Sequence, residues 1–296
     1  MKTFHFKFPH FPKISCQNLA IGKFDGIHKG HELLLNKPNT SVLTFHPLPH
    51  IFFKKTNEFI YTQQEKEKIF QKFGIENILF LTFNQTLANS SCNDFLNEIK
   101  KITNQITVGT DFLFGKNQSC NIQDIQKFGI STQTIPPIQN INSNEKISTS
   151  NLKEIIKSGN FSQYHHISNI PFHLTNTIFH GEKIASTKFN TPTINMIFPE
   201  NKITPPYGVY ATTTEINNTI YPSISNFGTK PTIETTNSTP ILETHIFNFN
   251  QDIYNMEAKI SFLHQIRQEK KFNDINQLHF QIMQDIKQCK KIHKIL

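Results

Sequence analysis

The chain has 296 residues, enough for one large domain or two ordinary ones, each with its own core. Its formal charge of +8 suits small anionic ligands, but no block of five like charges and no aromatic-interleaved basic patch is present, so nucleic acid is not an expected partner. Composition is globular, poor in glycine, rich in Asn, Ile, Lys and Phe, and without Trp.

The opening "MKTFHFKFPHFPKIS" carries a histidine and prolines where a signal peptide needs an unbroken apolar stretch, and no run approaches the length of a membrane span. Cys16, Cys92, Cys120 and Cys289 are scattered and form no CxxC. That pattern indicates neither a disulfide framework nor a zinc site, and a reducing cytoplasm is the expected location. A homo-oligomer is left open.

Short apolar runs over 18–22 ("NLAIG"), 41–45 ("SVLTF"), 77–83 ("NILFLTF") and 105–109 ("QITVG") suit a buried parallel sheet. Helical periodicities fall between them. "TQQEKEKIFQKFG" sets Ile69, Phe70 and Phe73 on one face and ends at Gly74, a C-cap. "SSCNDFLNEIKKI" does the same with Cys92, Phe95, Leu96 and Ile99. Strand–helix–strand repetition predicts a doubly wound α/β domain over 1–168, closed by helices within 151–167.

After a boundary near 168–172 the texture becomes Thr-, Ile-, Phe- and Tyr-rich, punctuated by Asn, Gly and Pro. The segment 172–296 reads as a β-barrel or sandwich, with "EINNTI" a tight hairpin. One helix ends the chain, with Asn273 able to cap it and Asp274 in its first turn. Ile275, Leu278, Ile282, Ile286 and Cys289 form its apolar stripe.

The chemistry concentrates in "IGKFDGIHKGHELLL" (21–35), where the first strand should turn into a helix. His28 and His31 stand three apart at a helix N-terminus, beside backbone N–H groups that lack helical partners and attract phosphate. Gly30 would allow close approach, and Gly22 and Gly26 would free the turn. Two imidazoles there could stabilise charge on a polyphosphate during displacement at phosphorus. Two ordinary surface histidines are the alternative, weakened by the position at the carboxyl end of a strand.

"LAIGKFDGIHKGHELLL" resembles the signature of the bacterial bifunctional riboflavin kinase/FMN adenylyltransferase (FAD synthetase) family. "LTFHPLPHIF", "YTQQEKEKIFQKFGIENILF", "VGTDFLFGKN" and "ISTSNLKEIIKSGNF" resemble further motifs of that family in the same order, across the first 165 residues. The resemblance implies a Rossmann-like nucleotidyltransferase domain in which the phosphate of FMN attacks the α-phosphorus of ATP and pyrophosphate leaves. It implies catalytic roles for His28 and His31, and nucleotide contacts from Gly22, Lys23, Phe24, Asp25 and Gly30. Ser148, Thr149 and Lys153 would hold phosphates, and Asp111 and Phe112 would shape the flavin site. Read by themselves, 147–154 is an ordinary helix N-cap with Asn151 and Glu154 as a capping pair. Asp111 and Phe112 are equally well a strand-end turn and a core aromatic. Departures from the family pattern are Lys23 for Asn, Leu48 for His, Leu113 for Arg and Lys153 for Arg, the last keeping charge without bidentate geometry.

"NTPTINM", "PPYGVYA", "SNFGTKPTI", "LETHIFNF" and "IRQEKKF" resemble, again in order, the riboflavin kinase module, a flattened β-barrel with a terminal helix. That likeness implies Mg²⁺ ligation by Thr193 and Asn195, a catalytic base at Glu243, and flavin contacts at Arg267 and Phe272. Strand alternation by itself sets Glu243 on the same face as the apolar Ile241 and Phe247. Gly181 and Lys188 would serve the ATP phosphates, in a loop that has lost the family's later glycines and its arginine. Against these stand a half-exposed strand glutamate, a β-branched strand residue and a turn-forming Asn. The small-molecule substrates implied are riboflavin, FMN and ATP, with FAD as product. Alternatives are an adenylyltransferase with a degenerate kinase domain, another HxGH nucleotidylyltransferase, or a non-enzymatic flavin-binding regulatory module.

Overall fold

The computed structural model describes residues 1–139, 146–179, 193–229, 239–272 and 274–295. The chain divides into two compact units, Met1–Thr149 and Ser150–Leu296.

In the first unit, the six strands are β1 (Lys2–Lys7), β2 (Asn18–Ile21), β3 (Thr40–His46), β4 (Asn77–Thr82), β5 (Gln105–Gly109) and β6 (Ser131–Ile135). They form one sheet, wholly parallel, in the order β1-β4-β3-β2-β5-β6. The four expected strands are present, and β1 and β6 extend the sheet at its two edges. β1 lies in the stretch read only for its lack of a signal peptide, although its exposed–half-buried alternation has the strand period. The chain leaves β2 toward β3 on one side and returns to β5 on the other, so β2 marks the topological switch point, where open α/β sheets bind ligands.

Helices α1 (Lys29–Leu35), α2 (Pro49–Phe52), α3 (Gln63–Lys72), α4 (Gln85–Ala88), α5 (Cys92–Lys100) and α6 (Ile122–Lys127) link these strands. Thr62 and Glu65 close a reciprocal capping box at the start of α3, and Gly74 turns the chain out of it with φ +69°. α5 buries Phe95, Leu96 and Ile99 against a core that includes Leu19, Ile106 and Val108. Cys92 and Cys120 are joined by a disulfide, against the expectation of four separate cysteines, whereas Cys16 and Cys289 are free and buried. Their separation of 28 residues carries no recognisable spacing; it is the return of the 110–120 loop to the start of α5 that brings them together.

The second unit opens with α7 (Thr149–Ser158) and α8 (Phe161–Ile167), the closing helices of the expected first domain. Phe161 of α8 packs on Phe172, Tyr210 and Phe262, which explains why α8 groups with the barrel. Asn151 lies inside α7, whose helical residues begin at Thr149, and so is not its cap. Strands β7 (His173–Thr177), β8 (Ile194–Ile197), β9 (Gly208–Ile216), β10 (Thr219–Thr229), β11 (Pro240–Ile246) and β12 (Glu257–Gln268) pair antiparallel in the order β7-β12-β9-β10-β11-β8. A bridge between Phe179 and Asn195, and a bond from Asn176 Nδ2 to the Ile197 carbonyl (2.9 Å), nearly close this sheet into a barrel. Asn217 and Asn218 take φ of +49° and +64° and make the two-residue hairpin read from "EINNTI". Inward-facing Thr212, Thr214, Ser223, Ser225 and Thr244 are fully buried and bond to one another at 2.8–2.9 Å, leaving each hydroxyl satisfied.

The terminal helix α9 (Ile275–His293) is capped by Asp274, which accepts from the N–H groups of Asn276 and Gln277. Asn273 lies outside the described residues. The expected stripe is covered from Leu278 onward: Leu278, Ile282 and Ile286 are half-buried and Cys289 is buried, with Ile286 against the cluster of Val209, Ala211 and Ile224, while Ile275 is exposed. The first turn of the helix leaves Ile275 uncovered, which no periodicity can foretell.

Candidate active sites

The turn after β2 is built from inside. Phe24 has φ +44° and a fully buried ring; a Cβ on Gly22 would come within 3.0 Å of that ring. Gly22 therefore makes room for Phe24. Asp25 is 1 % exposed, and its Oδ1 accepts from the Ile60 N–H at 2.8 Å while His50 Nε2 lies 3.9 Å from Oδ2. The side chains of Phe24 and Asp25 thus hold the turn from inside. Thr44 and Lys66 both donate to the Lys23 carbonyl, which leaves the Lys23 side chain exposed.

His28 is the N-cap of α1. Its Nδ1 accepts from the N–H groups of Gly30 (3.2 Å) and His31 (3.4 Å), so these two amides are occupied, not unpartnered as the sequence implied. Gly30 serves the ring as well: a Cβ there would lie 3.1 Å from two atoms of His28. With Nδ1 an acceptor, the proton of neutral His28 belongs on Nε2. His31 is set the other way, its Nδ1 donating to the Gly26 carbonyl at 2.7 Å, which leaves Nε2 with a lone pair. The rings stack with centroids 3.9 Å apart. Burial drives both below the ordinary 6.5 of histidine: His28 falls to about 3, helped by His31 and Lys146, and His31 to about 4, the Gly26 bond opposing.

The loop after β5 brings Asp111 to the same place. It pairs with Lys146 at 2.5 Å, and that hydrogen bond holds its carboxyl below the usual carboxylate range. Asp111 and Lys146 both act on the charge of His28. Lys146 escaped the sequence reading; its one signal was a cation directly before "ISTS". Phe112 is half-buried and stacks on Phe114 with centroids 5.6 Å apart, so one face of it belongs to the core. Ser148 and Thr149 are half-buried where α7 begins, in the first unit, while Lys153 lies one turn on, in the second.

In the barrel, strand register lines up a row on one face: Arg267 opposite Val209, Val209 opposite Asn226, Asn226 opposite Glu243, and Glu243 opposite Asn195. Glu243 Oε1 accepts from Thr193 Oγ1 at 2.8 Å. Thr193, Asn195 and Asn226 thus stand beside it in the row, while Leu242, Thr244 and Ile246 lie on the other face of the strand. Asn195 is buried, and its Oδ1 has no hydrogen-bond partner among the described residues. A buried amide oxygen without a donor beside a hydroxyl and a carboxylate is a hard-oxygen set that fits Mg²⁺. At the far end of the row, Arg267 Nε donates to the buried Asp285 (2.8 Å) and its guanidinium lies 5.7 Å from the Phe272 ring centroid. Gly181 and Lys188 lie outside the described residues.

A parallel α/β unit with a histidine pair at its switch point, followed by a barrel with a Thr–Glu–Asn cluster, defines a two-domain phosphoryl- and nucleotidyl-transfer enzyme. The FAD synthetase family matches residues 13–151 and the riboflavin kinase family residues 168–293. The bifunctional riboflavin kinase/FMN adenylyltransferase of Bacillus subtilis is 28% identical, over 96% of this chain and 96% of its own. That of Buchnera aphidicola subsp. Acyrthosiphon pisum is 31% identical over 93% and 94%. A crystal structure described as a macrolide-efflux protein from Streptococcus pneumoniae superposes with a TM-score of 0.83 at 26% identity, covering 96% of this chain and 97% of that one. Among the described residues here, no helix is long and apolar enough to cross a membrane. The chain belongs to the bifunctional riboflavin kinase/FMN adenylyltransferase family, and it is an enzyme of flavin cofactor synthesis carrying both domains.

Proposed function

We propose that the first unit transfers the adenylyl group of ATP to FMN at the turn after β2, and that the barrel phosphorylates riboflavin at Glu243. The stacked, oppositely oriented His28–His31 pair carries the first assignment. His28 offers an Nε2–H to a phosphate oxygen without needing to be charged. His31, neutral in the free protein, gains a proton in the field of the triphosphate and becomes a second donor as charge grows on the leaving pyrophosphate. Lys23, Ser148, Thr149 and Lys153 supply further phosphate contacts, and Asp111 and Phe112 border the flavin. Gly30 keeps His28 in place. No covalent intermediate is required, since positioning and charge stabilisation suffice for displacement at phosphorus.

In the barrel, Glu243 accepts the proton of the ribityl hydroxyl as it attacks the γ-phosphorus of ATP. Thr193 and Asn195 would hold Mg²⁺, which would neutralise phosphate charge. Arg267 and Phe272 contact the flavin ring, and the 180–192 segment with Gly181 and Lys188 serves the ATP phosphates. The reaction takes place in the cytoplasm.

Purified protein incubated with riboflavin, ATP and Mg²⁺ should yield FMN and then FAD on chromatography. His31→Ala should stop at FMN, losing about 10²–10³-fold in adenylylation. Glu243→Gln should make FAD from supplied FMN but lose about 10²–10⁴-fold in riboflavin phosphorylation. Either variant keeping its assigned activity within a few-fold would refute that assignment.

A further inference from the structure

The disulfide joins two elements whose coupling has a consequence for the first domain. Cys92 opens α5 and is half-buried, whereas Cys120 is fully buried. Their Cα atoms lie 6.0 Å apart, within the ordinary span of a cystine. Cys120 exchanges two backbone hydrogen bonds with Phe114 (3.0 and 3.1 Å), and the Lys116 N–H reaches the Ser90 carbonyl at 3.0 Å, just before α5. Gly115, with φ +73°, must be glycine here, since a Cβ would lie 2.5 Å from Cys120 Sγ. Phe114 in turn supports Phe112, and Asp111 next to it faces Lys146 and the histidines. The sulfur bridge therefore anchors the far end of the same loop that presents Asp111 and Phe112 to the site.

We propose that Cys92 and Cys120 are a thiol–disulfide modification site, addressed by low-molecular-weight disulfides, whose oxidation fixes the 111–120 loop and tightens FMN binding for adenylyl transfer. This rests on the reading of the His28–His31 turn as the adenylyl-transfer site. The Cys92 thiolate attacks one sulfur of the small disulfide, and one small thiol leaves. Deprotonated Cys120 then attacks Cys92 Sγ in the mixed disulfide, and the second small thiol leaves. The protein gives up two electrons and two protons; the small disulfide takes up both. Half-buried Cys92 is the entry point, and buried Cys120 resolves. Cys16 and Cys289 are buried and unbridged and serve as internal reference thiols.

Full-length protein is equilibrated with oxidised or reduced glutathione, denatured, alkylated and weighed, and each form is assayed for both activities. The oxidised form should show two alkylatable thiols and a linked Cys92–Cys120 peptide, the reduced form four. Its KM for FMN should be lower by about threefold or more, with riboflavin phosphorylation unchanged. Cys120→Ser should keep the KM of the reduced form under both conditions and, in oxidised glutathione, should carry Cys92 as the unresolved mixed disulfide. Four alkylatable thiols in excess oxidised glutathione, equal KM values in the two forms, or a parallel change in the kinase reaction would each overturn the proposal. Adenylylation absent from both forms would instead remove the reading of the histidine turn, and this proposal with it.

Discussion

Two histidines kept neutral inside the first unit make its stability sensitive to acid, and the size of the effect follows from their environment. In the unfolded chain each imidazole has the ordinary 6.5; folded, His28 titrates at about 3 and His31 at about 4, because burial disfavours the charged ring. Between those values the unfolded state binds more protons. Stability is therefore full above 6.5 and falls as pH drops below it, until the folded rings themselves take up protons. Going from about pH 7 to about pH 5 costs roughly 2 kcal/mol per ring by linkage, or about 3 kcal/mol for the pair once the solvent-facing edges are discounted. A His28→Asn/His31→Asn variant removes the titration and retains the architecture: Asn is a good N-cap, and its amide can still donate to the Gly26 carbonyl. Hydrogen exchange of the β2 and β3 amides, corrected for intrinsic rates, reads the stability of this unit alone. The wild type should lose about 3 kcal/mol more than the variant across that interval. Parallel losses in the two proteins would show that the histidines are not held neutral, and the donor assignments built on that neutrality would fall.

Gly30→Ala places a methyl 3.1 Å from the His28 ring and should displace the cap, costing about 1 kcal/mol in thermal unfolding and about tenfold in adenylylation, with kinase activity intact. Thr193→Val removes the donor to Glu243 and, on the proposed reading, an oxygen that would hold Mg²⁺; riboflavin phosphorylation should fall about tenfold or more, with a raised Mg²⁺ requirement seen in metal titration. Asp285→Ala leaves Arg267 without its buried partner and should destabilise the second unit by about 3 kcal/mol, measured by urea unfolding.

Much of the candidate site was legible because it is local. The HKGH spacing at the end of a buried strand located the histidines, and the Asn-Asn pair located a hairpin whose two left-handed residues suit asparagine. Collinear motifs located Thr193, Asn195 and Glu243. What those residues face was not legible. That His28 turns its Nδ1 back onto the Gly30 and His31 amides, and that Asp25 points inward to Ile60, depend on side-chain directions within the folded turn. Lys146 joins the candidate site only through its pairing with Asp111, 35 positions away.

Strand order along the chain, the two-part texture and the identity of the chemical groups were thus determined by the sequence itself, because periodicity and turn chemistry act over a few residues. What stands beside Glu243 across the strands, how far the stripe of α9 is covered, and which cysteines meet were decided only by tertiary structure. Register and packing join residues far apart in the chain, and no local pattern encodes the partner across that distance.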